Sequence, residues 1–124
     1  MDLGIHHVAV RVGDLERSID FYQQHFGLRV ANRDTLVSGA RIAFLEHPSG
    51  GAQLELIAGL DDHHDGDGLV HHVAFRVGDV AATFARLRDA GVTLIEAAPA
   101  TLASGRTLFS CRGPDGERLQ VVSG

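Results

Sequence analysis

This chain of 124 residues has one cysteine, no tryptophan and only three prolines. The lone Cys111 excludes an internal disulfide, which fits a reducing compartment. No stretch approaches the roughly 18 apolar residues of a membrane-spanning helix. The opening MDLGIHH has neither the basic nor the apolar region of a secretory signal, so a cytoplasmic location is expected. Nor is there a basic run: 11 basic residues are scattered against 16 acidic ones, for a net charge of −5. That balance argues against nucleic acid or an anionic membrane as partner, because both select a basic footprint.

What is present is a 44% hydrophobic chain, enough for one core. The length suits a single domain spanning residues 1–124. Half of it, about 62 residues, would be marginal alone, since small domains bury too little surface.

Those halves say the same thing twice. HHVAVRVGDL, from His6, returns as HHVAFRVGDV, from His71, with eight of ten positions identical and a constant offset of 72 − 7 = 65. In the first copy Ile5 to Val12 alternates with a period of two and reads as a strand. Asp14 is an N-cap candidate, Leu15, Ile19, Tyr22 and Phe26 form a helical stripe, and Gly27 is the stop. The second copy repeats the design: a strand from Val70 to Val77, Asp79, a stripe of Val80, Phe84 and Leu87, then Gly91.

Three apolar segments follow each helix: material around Leu28–Ala31, ARIAFLEH and AQLELIAG in the first half, VTLIEA, RTLFSC and RLQVVS in the second. Arg41 aligns with Arg106, Phe44 with Phe109, Gly51 with Gly116 and Leu54 with Leu119, again 65 apart. The chain is therefore read as α+β, with two tandem βαβββ modules at about 3–57 and 69–123. The segment 58–68, AGLDDHHDGDG, is an acidic, glycine-rich connector. Its His63 and His64 stand among aspartates, an arrangement more often solvated than metal-binding.

Alternation sorts the side chains. His7, Ala9 and Arg11 share one strand face, opposite His6, Val8, Val10 and Val12; His72, Ala74 and Arg76 repeat the pattern. The valine face should pack on the helix, leaving the other face to look into something polar. In the last strands Glu55 and its register mate Gln120 (120 − 55 = 65) lie opposite the leucines. A histidine or glutamate on a strand is, taken singly, usually structural or solvated. Here four metal-competent residues fall at two equivalent positions, twice. If the polar sheet faces meet, His7, Glu55, His72 and Gln120 form a four-ligand set for a divalent first-row ion.

These segments resemble the vicinal oxygen chelate superfamily, which includes glyoxalase I, methylmalonyl-CoA epimerase and the bleomycin-resistance proteins. HHVAVRVGDLERSIDFYQQHFGLRV is similar to the opening of bacterial glyoxalase I, while LELI, GLVHHVAFRV and GPDGERLQVV resemble the later ligand strands. The resemblance covers essentially the whole chain. It implies a half-open barrel sheet with helices on the outer face and a homodimer acting on a small molecule. It also implies one divalent ion (nickel, cobalt, zinc, manganese or iron) held by His7, Glu55, His72 and Gln120.

The implied activity is a metal-dependent glyoxalase I-like lyase or isomerase, acting on vicinal oxygens through an enediolate. Gln120 departs from the family's usual glutamate and cannot take a proton, which leaves Glu55 as the catalytic base. Arg11 sits where glyoxalases carry a glutathione-contacting arginine, although Gly59 replaces a frequent polar contact. Arg11 and Arg76 are therefore substrate-binding candidates for an anionic group, beside the plain alternative of a solvated edge. Two other functions stay open: an extradiol-type Fe(II) dioxygenase, from the two-histidine, one-carboxylate set, and a non-catalytic binder of the bleomycin-resistance kind.

Overall fold

Asp14 and Asp79 open the two helices of the computed structural model, which describes residues 4–60 and 67–124. Each caps from an extended backbone: Asp14 accepts from the Arg17 amide at 3.1 Å and Asp79 from the Ala82 amide at 2.9 Å. Such caps satisfy amides that have no partner inside the helix. The first helix, α1 (Leu15–Phe26), ends at Gly27 with φ of 67°, a left-handed conformation that glycine adopts at little cost. The second, α2 (Val80–Asp89), ends through Ala90 at the expected Gly91, which is again left-handed, with φ of 83° and its N–H donating to Arg88 O.

Around α1 lie β1 (His7–Val12), β2 (Arg29–Thr35), β3 (Arg41–Glu46) and β4 (Gln53–Ala58). Around α2 lie β5 (Val73–Val77), β6 (Ala100–Thr101), β7 (Thr107–Arg112) and β8 (Arg118–Ser123). The chain divides into two compact units, Met1–His64 and Asp65–Gly124. Each holds an open four-stranded sheet, in the orders β1-β4-β3-β2 and β5-β8-β7-β6. The β1/β4 and β5/β8 pairs are parallel and the rest antiparallel, so both sheets are mixed. The fold is α+β, and neither sheet closes on itself.

Helix and sheet meet on the face the alternation assigns. In the first unit Leu15, Ile19 and Tyr22 are buried with Ala43, Leu45, Leu54 and Leu56. In the second Val80, Phe84 and Leu87 are buried with Phe109, Cys111, Leu119 and Val121. Phe84 and Phe109 stack edge to face with centroids 5.1 Å apart. Burying such side chains stabilises each unit by roughly 1.5–3 kcal/mol apiece before chain entropy is counted.

Two sequence readings need correction. The constant offset of 65 fails in the inner hairpins. Phe44 lies across from Glu55, whereas Phe109 lies across from Val121, and it is Ser110 that faces Gln120. The turns agree: Leu36 N–H donates to Ala40 O as Leu102 N–H does to Arg106 O, an offset of 102 − 36 = 66. Phe44 and Phe109 therefore stand on opposite sheet faces, because a one-residue slip inverts every side chain of a strand. The matches of Arg41 with Arg106 and Gly51 with Gly116 are likewise one step out of structural register; Leu54 with Leu119 holds, since both outer pairs keep an offset of 119 − 73 = 54 − 8 = 46.

The second correction concerns VTLIEA. It forms only an isolated bridge between Leu94 and Cys111, and regular pairing waits for the two-residue β6. Pro99, directly before β6, has no amide to give a ladder. Upstream, the Glu96 carboxylate rather than a strand carbonyl accepts the Ser110 N–H.

Candidate functional site

The outer strand pairs position the candidate ligands. In the first sheet Ala9 faces Glu55 across the parallel β1/β4 ladder. His7, two residues earlier on the same face, reaches across it: its Nε2 lies 3.4 Å from Glu55 Oε1. Glu55 is 8% exposed, with leucines before and after it on the helix face. Phe44 closes the other flank, its ring 5.1 Å from that of His7 and perpendicular to it.

A gap of 3.4 Å is longer than an ordinary charge-assisted hydrogen bond. It does suit two ligands of one ion, since donors ~2.1 Å from a tetrahedral centre stand about 3.4 Å apart. The donor chemistry fits as well, as imidazole nitrogen and carboxylate oxygen are ordinary partners of first-row divalent metals.

The second sheet repeats the outer ladder. Ala74 faces Gln120, and His72 directly precedes β5, as His7 stands two residues before Ala9. An amide oxygen thus occupies the register position of the Glu55 carboxylate. The structure brings His7 to Glu55 and sets His72 and Gln120 at the matching places of the other sheet. Among the described residues no three His, Cys, Asp or Glu side chains gather as a metal cluster. Arg11 and Arg76 are exposed and share those faces, opposite Ile57 and Val122. His63 and His64 lie outside the described residues.

The reading from sequence missed two features. His6 and His71 were assigned to the opposite face, yet each ring turns onto its neighbour, with Nδ1–Nδ1 distances of 2.8 Å for His6–His7 and 2.9 Å for His71–His72. Both lie outside the regular strands, where alternation no longer dictates direction. The doubled histidine, written twice, was the available signal. Phe44 was noted only as a repeat mate, and its place beside His7 follows from the register slip. Cys111 is no competing nucleophile: it is buried, and desolvation pushes its thiol up to about 11.

The Glyoxalase/Bleomycin resistance protein/Dioxygenase superfamily model matches residues 4–121. The chain belongs to this superfamily. It is 32% identical over 118 residues to the Bacillus subtilis (strain 168) protein YwbC, covering 94% of both chains. It is 30% identical over 121 residues to a protein of Haemophilus influenzae named lactoylglutathione lyase, covering 94% of this chain and 89% of that one. A superfamily structure from Sphaerobacter thermophilus superposes with a TM-score of 0.83 at 20% identity, over 99% and 98% of the two chains, a likeness of fold. Many members of the superfamily are enzymes acting on small molecules, and divalent metal is typical of them. No described helix of this member is long and apolar enough to cross a membrane.

Proposed function

We propose that this protein is a metal-dependent glyoxalase I-like lyase or isomerase, acting on a small substrate with adjacent oxygens, with Glu55 as its proton carrier. The observation that carries the reading is the buried Glu55 carboxylate, 3.4 Å from His7 Nε2 and across the β1/β4 ladder from Ala9. His7, Glu55, His72 and Gln120 would hold one divalent ion, of nickel, cobalt, zinc, manganese or iron. When bound, that ion supplies Lewis acidity, which lowers the pKa of a C–H bond beside a polarised carbonyl.

Glu55 accepts the proton from that carbon and returns it to the neighbouring carbon, so the bond changes balance without an oxidant or reductant. Gln120 donates an oxygen lone pair and no more, which makes the proton transfer the work of one carboxylate. Arg11 and Arg76 are assigned to an anionic group of the substrate, which a guanidinium grips in a planar fork. Phe44 packs edge to face against the His7 ring. A cytoplasmic homodimer belongs to the same proposal, and the resemblance of the whole chain to the lactoylglutathione lyase relative favours a thiohemiacetal substrate.

The test is turnover of a methylglyoxal–glutathione hemithioacetal, together with α-carbon deuterium exchange, by wild type and Glu55→Gln across several metals. The expected result is loss of both signals in the variant with divalent metal still partly retained. Retained turnover would place the base elsewhere. The neutral Gln120 favours a second reading, a non-catalytic binder of small molecules. That reading takes over if no metal is retained and no exchange occurs on any 1,2-dicarbonyl, thiohemiacetal or acyl-CoA substrate. Oxygen uptake with Fe(II) would instead mark a dioxygenase.

A further inference from the structure

Two adjacent histidines touch through the same pair of atoms in both units: Nδ1 to Nδ1 at 2.8 Å for His6–His7 and 2.9 Å for His71–His72. The rings meet edge to face in each pair, with interplanar angles of 83° and 82°. At such distances one nitrogen carries the hydrogen and the other accepts it; two lone pairs would repel. The pair thus has two neutral arrangements. In one, His6 donates, and His7 carries its hydrogen on Nε2. In the other, His7 donates through Nδ1, and its Nε2 presents a lone pair toward Glu55.

The 3.4 Å separation between His7 Nε2 and Glu55 Oε1 is longer than an ordinary charge-assisted hydrogen bond and is compatible with the second arrangement. A ligand of the proposed ion must offer its Nε2 lone pair, which puts the ring hydrogen on Nδ1 and makes His6 the acceptor. His6 has the backbone to serve as a fixed acceptor, since its carbonyl takes the Gln53 N–H at 3.0 Å at the mouth of the β1/β4 ladder. Phe44 lies in a T-shaped arrangement with both rings, its centroid 6.4 Å from that of His6 and 5.1 Å from that of His7.

We infer that His6 and His71 are positioning residues, each accepting the Nδ1–H of the following histidine and so presenting the Nε2 lone pair of His7 or His72 for coordination. This inference rests on the proposed metal role of His7 and His72. It accounts for why each module spells its histidine twice. A ligating imidazole needs its other nitrogen engaged, and a neighbour in sequence supplies that partner without any long-range contact.

The variants are His6→Phe, which keeps a ring but removes the acceptor, and His6→Asn, whose Oδ1 stands near the place of Nδ1. Two readouts are taken. Long-range 15N–1H spectra of metal-free protein assign the tautomer of His7, and chelator competition gives the affinity for Zn²⁺. Wild type should show His7 with its hydrogen on Nδ1. His6→Phe should shift that population toward Nε2–H and weaken Zn²⁺ binding about 10- to 100-fold, while His6→Asn restores most of both.

His7 found with its hydrogen on Nε2 in wild-type protein, or a tautomer unmoved by His6→Phe, would overturn the positioning role. Unchanged Zn²⁺ affinity in His6→Phe, with binding still lost in His7→Ala, would overturn it too. Binding that survives His7→Ala would instead remove the metal reading and leave the tautomer result standing by itself. Thermal unfolding of each variant checks that the fold is kept, and His71 with its two counterpart variants repeats the test in the second unit.

Discussion

The two units agree at the edge where chemistry is proposed and disagree one strand further in. β1/β4 and β5/β8 share a parallel register, placing His7 with His72, Ala9 with Ala74 and Glu55 with Gln120. The next ladder is displaced by one residue, so that Phe44 borders the first site face and Ser110 the second. A duplicated fold can therefore keep the positions proposed to hold a ligand while its core is repacked around them. The carboxylate stands in only one copy, at Glu55, and the aromatic side chain moves from the site face to the helix face.

The largest effect expected on that comparison comes from making the copies alike at positions 55 and 120. Glu55→Gln should lower turnover by about 10²–10⁴-fold, the usual weight of a general base, as read from initial rates at saturating metal. Gln120→Glu should move in the opposite sense on ion affinity, because an anionic oxygen holds a cation better than an amide does. If the two exchanges have equal effects on turnover, the asymmetry has no catalytic meaning.

Phe109 and Phe44 give the next contrast. Phe109→Ala should cost about 3–5 kcal/mol in denaturant unfolding, since the ring is fully buried against Phe84. Phe44→Ala removes a partly exposed ring and should cost about 1 kcal/mol. Equal losses would contradict their placement on opposite faces. The helix caps should be symmetric instead: Asp14→Ala and Asp79→Ala should each cost about 1 kcal/mol, in thermal or denaturant unfolding.

The smallest effect concerns two exposed acid–arginine clusters that the repeat does not share. In the first unit Glu16 accepts from Arg33 at 2.7 and 2.9 Å, which holds its carboxyl below the ordinary 4.5. In the second, Asp67 accepts from Arg112 at 2.6 Å and is held below 3.8. A depressed carboxylate contributes stability that is present above its unfolded pKa and lost as pH falls through the folded one. Both contributions are therefore intact at neutral pH and vanish on acidification below about 4. In an NMR titration, Arg33→Gln should return Glu16 toward its ordinary midpoint and leave Asp67 unmoved. Full exposure and screening by salt keep any change in unfolding midpoint near the limit of detection.

Local pattern made much of this legible. Asp14 and Asp79 cap because a short polar side chain before a helical stripe has few other uses, and both stripes bury as their spacing requires, Phe26 only in part. The pairing of Glu55 with Gln120 was readable from the 65-residue offset, because the outer strands keep one register throughout. Phe44 was not readable. Matching letters aligned it with Phe109, but register in a hairpin is set by its turns and by which face must be covered. The short β6 was obscured in the same way: VTLIEA has the apolar content of a strand, yet Pro99 and the Glu96 carboxylate divert the ladder.

The amino-acid sequence alone determined the doubled βαβββ order, the helix ends and the faces of the outer strands, because capping and period-two alternation act over a few neighbouring residues. Only the tertiary structure decided that His7 meets Glu55, that His6 turns back upon His7, and that the inner strands slip by one. Those outcomes depend on pairing between segments distant along the chain and on packing against a helix. Such contacts are selected by the whole set of buried surfaces at once.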